Sequence, residues 1–370
     1  MKTLESPIRI LYVNGGTMDM GGISAYMMNY YRFIDKKRIQ IDFIVHGKYG
    51  VYDREIETLG GKVYHIPTKR ENYIQNRIQI RSILSSGQYK IVHSHMDGMN
   101  GNLLREAAKL HIPVRISHSH NTEFLTNNIL KILFHKYYRS IIPKYATELW
   151  ACSSMAGRWL YGQGHTFEVI PNAIDTDKYA FNTKLRDQIR GKLGLRGKYV
   201  IGHVGKISYQ KNHAFLIKLF YEISQKKSDV VLMLVGDGDL RQKMEDLVEK
   251  YDIASKVIFM GQQDNVNELL NAMDVFVMPS IFEGLPVVLV EAQCNGLHCI
   301  CSTNVPEESN ITGNVEFITL SDNVNRWVTA IMSNNQRDYE AKKKVVSKGY
   351  DIVSASKILE KTYFELLEKA

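Results

Sequence analysis

The chain alternates short apolar runs with longer segments of helical periodicity along almost its whole length. One series of runs comprises IRILYV, QIDFIVH, KVYHI, YKIVHSH, VRISHSH, ELWACS and FEVIPN. A second series comprises YVIGHVG, VVLMLVGDG, KVIFMG, DVFVMPS and HCICST. Continuous apolar strands separated by helices are typical of parallel sheets that are covered on both faces. Two such series predict an α/β fold with two doubly wound, Rossmann-like domains.

The length of 370 residues agrees with two domains, because a single hydrophobic core seldom grows that large. A polar, basic segment over 172–198 separates the two series of runs. We therefore predict a first domain over 1–175 and a second over 195–345. The remaining residues, 346–370, include a helical pattern that we expect to pack back on the first domain.

Composition limits the classes of function. The formal net charge is +8, but the chain has no arginine-rich tail, zinc-finger spacing or aromatic ribonucleoprotein motif, so we expect no nucleic-acid partner. An anionic membrane surface or a phosphate-bearing substrate explains the charge equally well. Four cysteines without a CxxC motif predict reduced thiols in a cytoplasmic protein. The chain shows no signal peptide, and no apolar stretch is long enough to span a bilayer.

Two acidic residues bracket the segment FEGLPVVLVEAQ, in which Glu283 and Glu291 stand eight positions apart. Pro286 predicts the start of a helix between them, and Gly296 predicts its end. Free backbone amides at 284–287 would then lie beside Glu283. Amides and the helix dipole suit a phosphate, whereas carboxylates suit hydroxyl groups, so this segment predicts a ligand that carries both.

Two lysines follow the first strand of the second domain, in the segment HVGKISYQKNHAFL. Gly205 lets the chain turn, and Lys206 and Lys211 then stand where a ligand at the strand ends would bind. Most surface lysines are only solvated. Two of them in one loop directly before a helix predict a clamp for a diphosphate.

Glycine pairs at 15–16 and 21–22 follow the first strand of the chain. Glycine permits close approach of a ligand, although a flexible turn is the alternative interpretation. The spacing is not GxGxxG, which disfavours a dinucleotide. The segment GDGDL, 236–240, is a weak signal both for a Rossmann turn and for a DxD metal motif. We interpret Asp237 and Asp239 as turn and helix-cap residues.

Histidines end two strands of the first domain, His93 and His95 on one strand and His118 and His120 on another. The HxH pattern places both rings on one side of a strand. A metal site is an open alternative, but no nearby acid completes a convincing set of ligands. We expect no bound metal, and we expect His120, the last before the loop, to contact a substrate hydroxyl or sugar.

The segment TNNILKILFHKYYRSIIPKYA, 126–146, combines basic and apolar residues at helical spacing. Lys131, His135 and Arg139 share one stripe, with Lys136 beside it. An ordinary half-buried helix is one interpretation. Peripheral contact with an anionic membrane or with a lipid-linked acceptor is the other.

Taken in order, the motifs NGGTMDMGGISAYMMNYYR, RISHSHNTE, VIPNAIDTDKY, IGHVGKISYQKNHAFL, LMLVGDGDLR and VIFMGQQDNVNELLNAMDVFVMPSIFEGLPVVLVEAQCNGLHCICS match a known family. The chain resembles retaining glycosyltransferases of family 4 with the EX7E motif, and among them the bacterial exopolysaccharide and capsule enzymes. The resemblance covers nearly the whole chain. It implies a GT-B fold, in which two Rossmann-like domains face each other across a cleft, the first (1–175) binding the acceptor and the second (195–345) binding the nucleotide sugar.

The resemblance also implies roles for individual residues. Glu283 would hold hydroxyls of the donor sugar, Glu291 would hold ribose hydroxyls, and His120 would face the transferred sugar. The implied phosphate and backbone contacts of the donor are Lys206, Lys211, Gly205, Gly284, Leu285 and, from the other domain, Gly22. Family members often carry Arg where Lys206 stands, and a lysine lacks the bidentate fork of arginine.

The implied reaction is transfer of a hexose-type sugar, with retention, from a nucleotide sugar, which we expect to be UDP-linked, to a glycan. The acceptor would be carried by a polyprenyl diphosphate, and the enzyme would work without a cofactor on the cytoplasmic face of the membrane. A nucleotide-sugar epimerase of the same architecture is one alternative. A non-catalytic nucleotide-sugar-binding partner is another, and an NAD-dependent dehydrogenase is disfavoured by the missing glycine fingerprint.

Overall fold

The computed structural model describes residues 6–124, 128–333 and 336–370. The chain forms two compact units, of which one combines Met1–Ala173 with Ile352–Ala370 and the other comprises Ile174–Asp351. Within the described residues, no helix has both the length and the apolar character needed to cross a membrane.

Each unit is built on a parallel sheet. The first sheet has the order β3-β2-β1-β4-β5-β6-β7, with strands β1 Ile8–Asn14, β2 Ile39–His46, β3 Val63–Ile66, β4 Tyr89–His95, β5 Val114–Ser119, β6 Glu148–Ala151 and β7 Glu168–Val169. The second has the order β10-β9-β8-β11-β12-β13, with strands β8 Tyr199–Val204, β9 Val230–Val235, β10 Val257–Gly261, β11 Val275–Met278, β12 His298–Ser302 and β13 Val315–Ile318. The prediction of two doubly wound domains is confirmed.

Helices connect the strands. In chain order they are α1 Gly22–Phe33, α2 Asp53–Thr58, α3 Tyr73–Leu84, α4 Asn100–Lys109, α5 Ile129–Ser140, α6 Ile142–Tyr145, α7 Ser154–Tyr161, α8 Thr176–Tyr179, α9 Thr183–Lys192, α10 His213–Lys226, α11 Arg241–Lys250, α12 Val266–Ala272, α13 Val287–Cys294, α14 Val324–Met332, α15 Ala341–Ser347 and α16 Ile352–Lys369. Every strand named in the sequence analysis is present. Only β13 lacks a predicted counterpart, since its short VEFI run is interrupted by a glutamate.

The division between the two units, after Ala173, falls within the predicted boundary segment 172–198, so the second unit begins earlier than the predicted 195. Helices α8 and α9 fall within this segment and belong to the second unit. Arg190 of α9 donates to the carbonyl of Ala272 at 2.8 Å and to Asp274 at 3.1 Å. The basic residues that made this segment look solvated therefore fasten it to the second sheet, because their guanidinium groups satisfy carbonyls at a helix end.

The C-terminal helix α16 is part of the first unit. Ile352, Ala355, Leu359 and Tyr363 are buried at helical spacing and join the core that contains α1. The Tyr363 hydroxyl lies 2.7 Å from the Tyr12 hydroxyl in the middle of β1. The residues before it, 341–347, form α15 of the second unit, so the terminal helix begins later than the predicted 346.

The loops that follow β8 and β9 contact each other at the carboxyl ends of these strands. Gly236 has a φ of +129°, and a Cβ added there would lie 2.1 Å from the carbonyl oxygen of Gly205. The amide of Ile207 donates to the carbonyl of Asp237 at 3.0 Å. Helix α11 begins after Leu240 without a side-chain cap, so the interpretation of Asp239 as a helix cap is wrong. Asp237 does act in the turn, since it accepts from the amide of Gly238 at 2.7 Å.

Candidate active site

The carboxyl ends of β8 and β11, which are neighbours in the second sheet, bring together two of the predicted site residues. Lys211 lies between β8 and α10, and Glu283 lies between β11 and α13. The Lys211 Nζ atom is 2.6 Å from Glu283 Oε1. Glu283 is only 5% exposed, so this is a buried ion pair whose members orient each other.

Gln210 completes this arrangement, and the sequence analysis missed it. Its Nε2 atom donates to the carbonyl of Phe282 at 3.1 Å and to Glu283 Oε2 at 3.4 Å. The backbone carbonyl of Gln210 accepts from the backbone amide of Ile281 at 2.8 Å. The only available signal was its position next to Lys211 in a loop that follows a strand. Gln210 therefore ties the lysine loop to the segment that carries the glutamate.

Lys206 stands apart from the buried pair. Its side chain is 64% exposed, and its Nζ atom lies 3.8 Å from Asp239 Oδ2. Gly205, directly before it, donates its amide to Val235 at 2.9 Å. A Cβ added at Gly205 would lie 3.2 Å from Lys211 Cε, so the glycine leaves room for the lysine of the pair. The two lysines expected to form one clamp thus differ in burial and in partner.

Helix α13 starts one residue later than predicted. Pro286 is its N-cap rather than its first helical residue, with φ −71° and ψ 119°. Gly296 follows the C-cap with a φ of +77°, as expected for a glycine that ends a helix. Gly284 and Leu285, whose amides we expected to be free, both have interaction partners in this structure. They nevertheless lie directly between Glu283 and the start of the helix.

Glu291 lies inside α13 and is 9% exposed. Burial raises the pKa of its carboxyl to about 7, although a hydrogen bond from Tyr179 and the charge of Lys178 act in the opposite direction. A carboxyl group in this state accepts or donates a hydrogen bond near neutral pH. This property suits a hydroxyl-bearing ligand, and it separates Glu291 from the ion-paired Glu283.

In the first unit, the four strand-end histidines form one buried cluster. The Nε2 atom of His93 is 3.0 Å from Nδ1 of His118, and Nδ1 of His95 is 2.8 Å from Nε2 of His120. His93 Nδ1 also lies 2.8 Å from the Tyr363 hydroxyl. Burial lowers the pKa of all four, in the case of His120 to about 3. These rings are therefore neutral at physiological pH.

The same cluster has a geometry that a metal ion could use. Ligand atoms of His93, His95 and His118 lie within 4.8 Å of one another. However, the His93–His118 and His95–His120 hydrogen bonds already occupy ring nitrogen atoms of these three residues. A metal ion would compete with these bonds for the same atoms. The backbone of His120 is also fixed, since its amide donates to Asp97 Oδ1 at 2.9 Å. The absence of a resident metal remains a prediction.

The glycine loop after β1 places Gly22 at the first position of α1. A Cβ added at Gly21 or at Gly22 would meet no atom within 4 Å. Packing within the first unit therefore does not explain glycine at either position. Both interpretations of the loop, a flexible turn and close approach of a ligand, are compatible with this open space, so the ligand contact of Gly22 stays a prediction.

A cavity of about 600 Å³ opens in the first unit beside this loop and the histidines. Apolar residues make up much of its wall, among them Ile23, Met99, Leu103, Phe124 and Trp159. Gly15 and Gly16 also line it, and its polar residues include Asn14, Lys69, His95, Asp97, Asn121, Glu123, Lys131 and His135. A cavity of this size and lining is suited to an organic ligand that has both polar and apolar parts.

Helix α5 forms one wall of the cavity and falls in the basic segment predicted from sequence. Residues 126 and 127 of that segment lie outside the described residues. Lys131 and His135 line the cavity, as their common stripe predicts. Arg139, the third member of the stripe, donates instead to the carbonyl of Leu160 at 2.9 Å.

Comparison with known proteins identifies the family. The model "Glycosyltransferase Family 4" matches residues 20–178, and the model "Glycosyl transferases group 1" matches residues 186–350. EpsF of Bacillus subtilis (strain 168), which is named as a glycosyltransferase, is 36% identical over 88% of this chain and 88% of its own length. An Escherichia coli relative is 26% identical over 85% of this chain and 82% of its own, and is named UDP-Gal:alpha-D-GlcNAc-diphosphoundecaprenol alpha-1,3-galactosyltransferase.

A solved structure supports the fold. Anabaena Alr3699/HepE, crystallised with UDP and glucose, superposes with a TM-score of 0.78 over 97% of this chain and 100% of its own, at 16% identity. The expected GT-B fold is thereby confirmed. The family matches and the named relatives also bear out the prediction of a transferase. The chain belongs to the family 4, group 1 glycosyltransferases.

Proposed function

We propose that this glycosyltransferase moves a hexose-type sugar, with retention of configuration, from a UDP-linked donor to a lipid-linked glycan in exopolysaccharide or capsule synthesis. The observation that carries the proposal is the buried pair of Lys211 and Glu283 at the strand ends of the second unit. A cation fixed at this position is suited to a departing diphosphate, and a carboxylate beside it is suited to sugar hydroxyls.

The names of the relatives support the finer parts of the proposal. The Escherichia coli relative is named for a UDP-galactose donor and a diphosphoundecaprenol-linked acceptor. The HepE crystal contains UDP and glucose. We transfer these properties to the present chain only as the expected donor and acceptor classes, because the identities are 26% and 16%.

The chain's own residues supply the expected steps. Lys211 neutralises the diphosphate as the bond to the sugar breaks, and the exposed Lys206 adds charge from the same loop. Glu283 holds the sugar through its hydroxyls, and Glu291 holds the ribose. Gly205, Gly284 and Leu285 provide backbone approach to the donor, and Gly22 does so from the first unit. The neutral ring of His120 donates a hydrogen bond to the sugar or accepts one from it, and it adds no charge to the site.

We propose further that the enzyme needs no metal or other cofactor, because two lysines and a helix start supply the positive field for the diphosphate. Turnover should then be the same with and without EDTA. Loss of activity on chelation, with recovery on adding back a divalent cation, would contradict this part of the proposal.

Helix α5 supports peripheral attachment to the cytoplasmic face of a membrane. Its large apolar side chains are exposed on one side, at 73% for Ile129, 68% for Leu130, 56% for Leu133, 62% for Phe134 and 53% for Tyr137. The helix carries Lys131, Lys136 and Arg139 and no acidic residue. The basic residues of a second copy of this helix would repel those of the first. An anionic bilayer, in contrast, attracts the basic residues and accommodates the exposed apolar side chains.

The decisive experiment incubates the protein with a panel of nucleotide sugars and lipid-linked acceptors. We expect transfer from a UDP-hexose, with the anomeric configuration of the donor retained in the product when it is analysed by NMR. Inversion of configuration, or transfer only from donors that carry another nucleotide, would overturn the corresponding part of the proposal.

A further inference from the structure

The ring of His120 is held by a hydrogen bond with another histidine. Its Nε2 atom lies 2.8 Å from Nδ1 of His95, which ends the neighbouring strand β4. No hydrogen bond within the described residues involves the other ring nitrogen of His120, Nδ1. His120 is 8% exposed, and this nitrogen is not one of the fully enclosed atoms that lack a partner. Nδ1 is therefore the nitrogen of His120 that a ligand can reach.

The ring of His95 has one nitrogen with a partner and one without. Nδ1 is hydrogen-bonded to His120, whereas Nε2 is buried and has no hydrogen-bond partner in the described part of the chain. His95 is almost fully buried, and the ring centroids of Tyr12 and Tyr26 lie 5.0 Å and 5.7 Å from its own. Aromatic rings are at most weak hydrogen-bond acceptors. The surroundings of Nε2 are therefore unfavourable for an N–H group.

These contacts decide where the proton of His95 resides. Burial lowers the pKa of both His95 and His120, so each ring is neutral and has one N–H group and one bare nitrogen. A proton on Nε2 of His95 would be buried without an acceptor. Unpaired buried N–H groups are rare in proteins, whereas incompletely satisfied acceptors are more common. The favoured state of His95 has its proton on Nδ1, from which it is donated to His120.

The tautomer of His120 follows from that of His95. Because Nε2 of His120 accepts this hydrogen bond, it carries no proton, and the proton of the ring is on Nδ1. The nitrogen that a ligand can reach is thus an N–H donor. The backbone of His120 is fixed by Asp97, which lies two residues after His95 and accepts from the His120 amide. The end of β4 and the loop after it therefore hold both the ring and the backbone of His120.

We propose that His95 is a positioning residue for the transfer reaction, because it fixes the tautomer of His120 in which Nδ1–H donates a hydrogen bond to an oxygen atom of the sugar. The inference rests on the proposed function, in which His120 contacts the sugar, and it adds the direction of that hydrogen bond. An ion-paired carboxylate such as Glu283 only accepts hydrogen bonds, so a donor on His120 complements it. A sugar without an oxygen at the contacted position leaves this donor unpaired and is selected against.

The first test determines the tautomer directly. The full-length protein is labelled with a nitrogen isotope in its histidine rings, and long-range proton–nitrogen correlation spectra show which ring nitrogen carries the proton. The variant His120→Gln identifies the signals of His120 by their loss. We expect a protonated Nδ1 and an unprotonated Nε2 for His120 at neutral pH. A protonated Nε2 in the wild-type protein would overturn the proposal.

The second test determines whether the tautomer matters for transfer. His95→Leu removes the donor that selects the tautomer, so kcat/KM for the nucleotide sugar should fall by about tenfold or more. The Kd of UDP should not change, because UDP lacks the sugar. His95→Asn places an amide N–H near the position of Nδ1 and should recover most of the lost kcat/KM. An unchanged kcat/KM in folded His95→Leu would contradict the positioning role.

His118→Leu is the matched control for the spectra. His118 belongs to the same buried cluster, but its ring is hydrogen-bonded to His93 and not to His95 or His120. This variant should leave the proton of His120 on Nδ1, whereas His95→Leu should give a mixture of both tautomers. An equal change of tautomer in the two variants would refute the assignment to His95. Thermal unfolding checks the fold of each variant, and the wild-type spectrum decides the tautomer even if His95→Leu does not fold.

The two proposals fail in different ways. If the proposed reaction is wrong, no nucleotide sugar is consumed in the presence of any acceptor, while the spectra still show a protonated Nδ1 on His120. If only the role of His95 is wrong, transfer takes place, but the proton of His120 is on Nε2 or His95→Leu retains the wild-type kcat/KM.

Discussion

The Lys211 ammonium lies 2.6 Å from the Glu283 carboxylate, although the two residues come from different strand-end loops. Their side chains are 14% and 6% exposed, so each holds the other in a largely dry environment. Gln210 adds a hydrogen bond to the second carboxylate oxygen at 3.4 Å. Contacts within the protein therefore position Lys211, which suits the preorganised diphosphate contact that we propose for it.

Removing either member of this pair should abolish transfer and destabilise the second unit. Lys211→Ala and Glu283→Ala should each reduce kcat by about 100-fold or more, because the departing diphosphate or the sugar loses its charged contact. Each should also lower the free energy of unfolding by about 3 kcal/mol, because one buried charge is left unpaired. Steady-state kinetics and denaturant unfolding measure the two effects.

The double variant Lys211→Met/Glu283→Gln separates stability from catalysis. It leaves no unpaired charge, so its stability should exceed that of either single variant, while transfer stays lost. Lys218→Ala, an exposed lysine on α10, is the control for both measurements. Near-normal transfer in Lys211→Ala would remove the pair from the proposed site.

Glu291 makes the stability of the protein depend on pH. Its pKa rises from an ordinary 4.5 to about 7 on folding, mainly because the side chain is buried. The folded state therefore loses stability as pH rises from 4.5 through 7, since the buried group has to ionise. Glu291→Gln should be more stable than the wild type above pH 7, by up to about 3 kcal/mol.

Denaturant unfolding of both proteins at several pH values measures this difference. Below pH 4.5 the glutamate is protonated in both the folded and the unfolded state, so the advantage of the glutamine variant should disappear. A stability difference that is constant across the pH range would contradict the assigned cause.

Gly236 should be intolerant of any side chain. Gly236→Ala forces a left-handed φ of +129° and a Cβ 2.1 Å from the Gly205 carbonyl oxygen. We expect it to lower the free energy of unfolding by at least about 2 kcal/mol. Gly164→Ala is the matched control, because its Cβ would meet no atom within 4 Å. A change in thermal stability that is equal for both variants would show that the two strand-end loops do not pack as described.

The exposed face of α5 should govern membrane binding. Leu133→Asn/Phe134→Asn should reduce sedimentation with phosphatidylglycerol vesicles, because both side chains lose apolar area that would enter the bilayer. Lys131→Ala/Lys136→Ala/Arg139→Ala should reduce binding to anionic vesicles and have little effect on phosphatidylcholine vesicles. Ile358→Asn, at an equally exposed position on α16, is the control. Unchanged sedimentation of both variants would exclude α5 as the membrane contact.

The strands and the strand-end positions of Lys211, Glu283 and His120 were predictable, because apolar runs and turn residues are local properties of the sequence. The pairing of Lys211 with Glu283 was not, since it depends on the spatial order of β8 and β11. Gln210 was missed for the same reason. The basic segment 172–198 marked the domain boundary, but its attachment to the second sheet was not predictable, because local composition does not show which carbonyls an arginine will reach.

The position of α16 has a consequence for biosynthesis. Because Tyr363 contacts Tyr12 and His93, the core of the first unit includes residues that are translated after the entire second unit. A nascent chain that has emerged as far as residue 351 can complete the second unit, but it still lacks the helix that covers α1. The second unit can therefore complete its core before the first, and the first half must avoid aggregation with an exposed apolar face until the last helix has been synthesised.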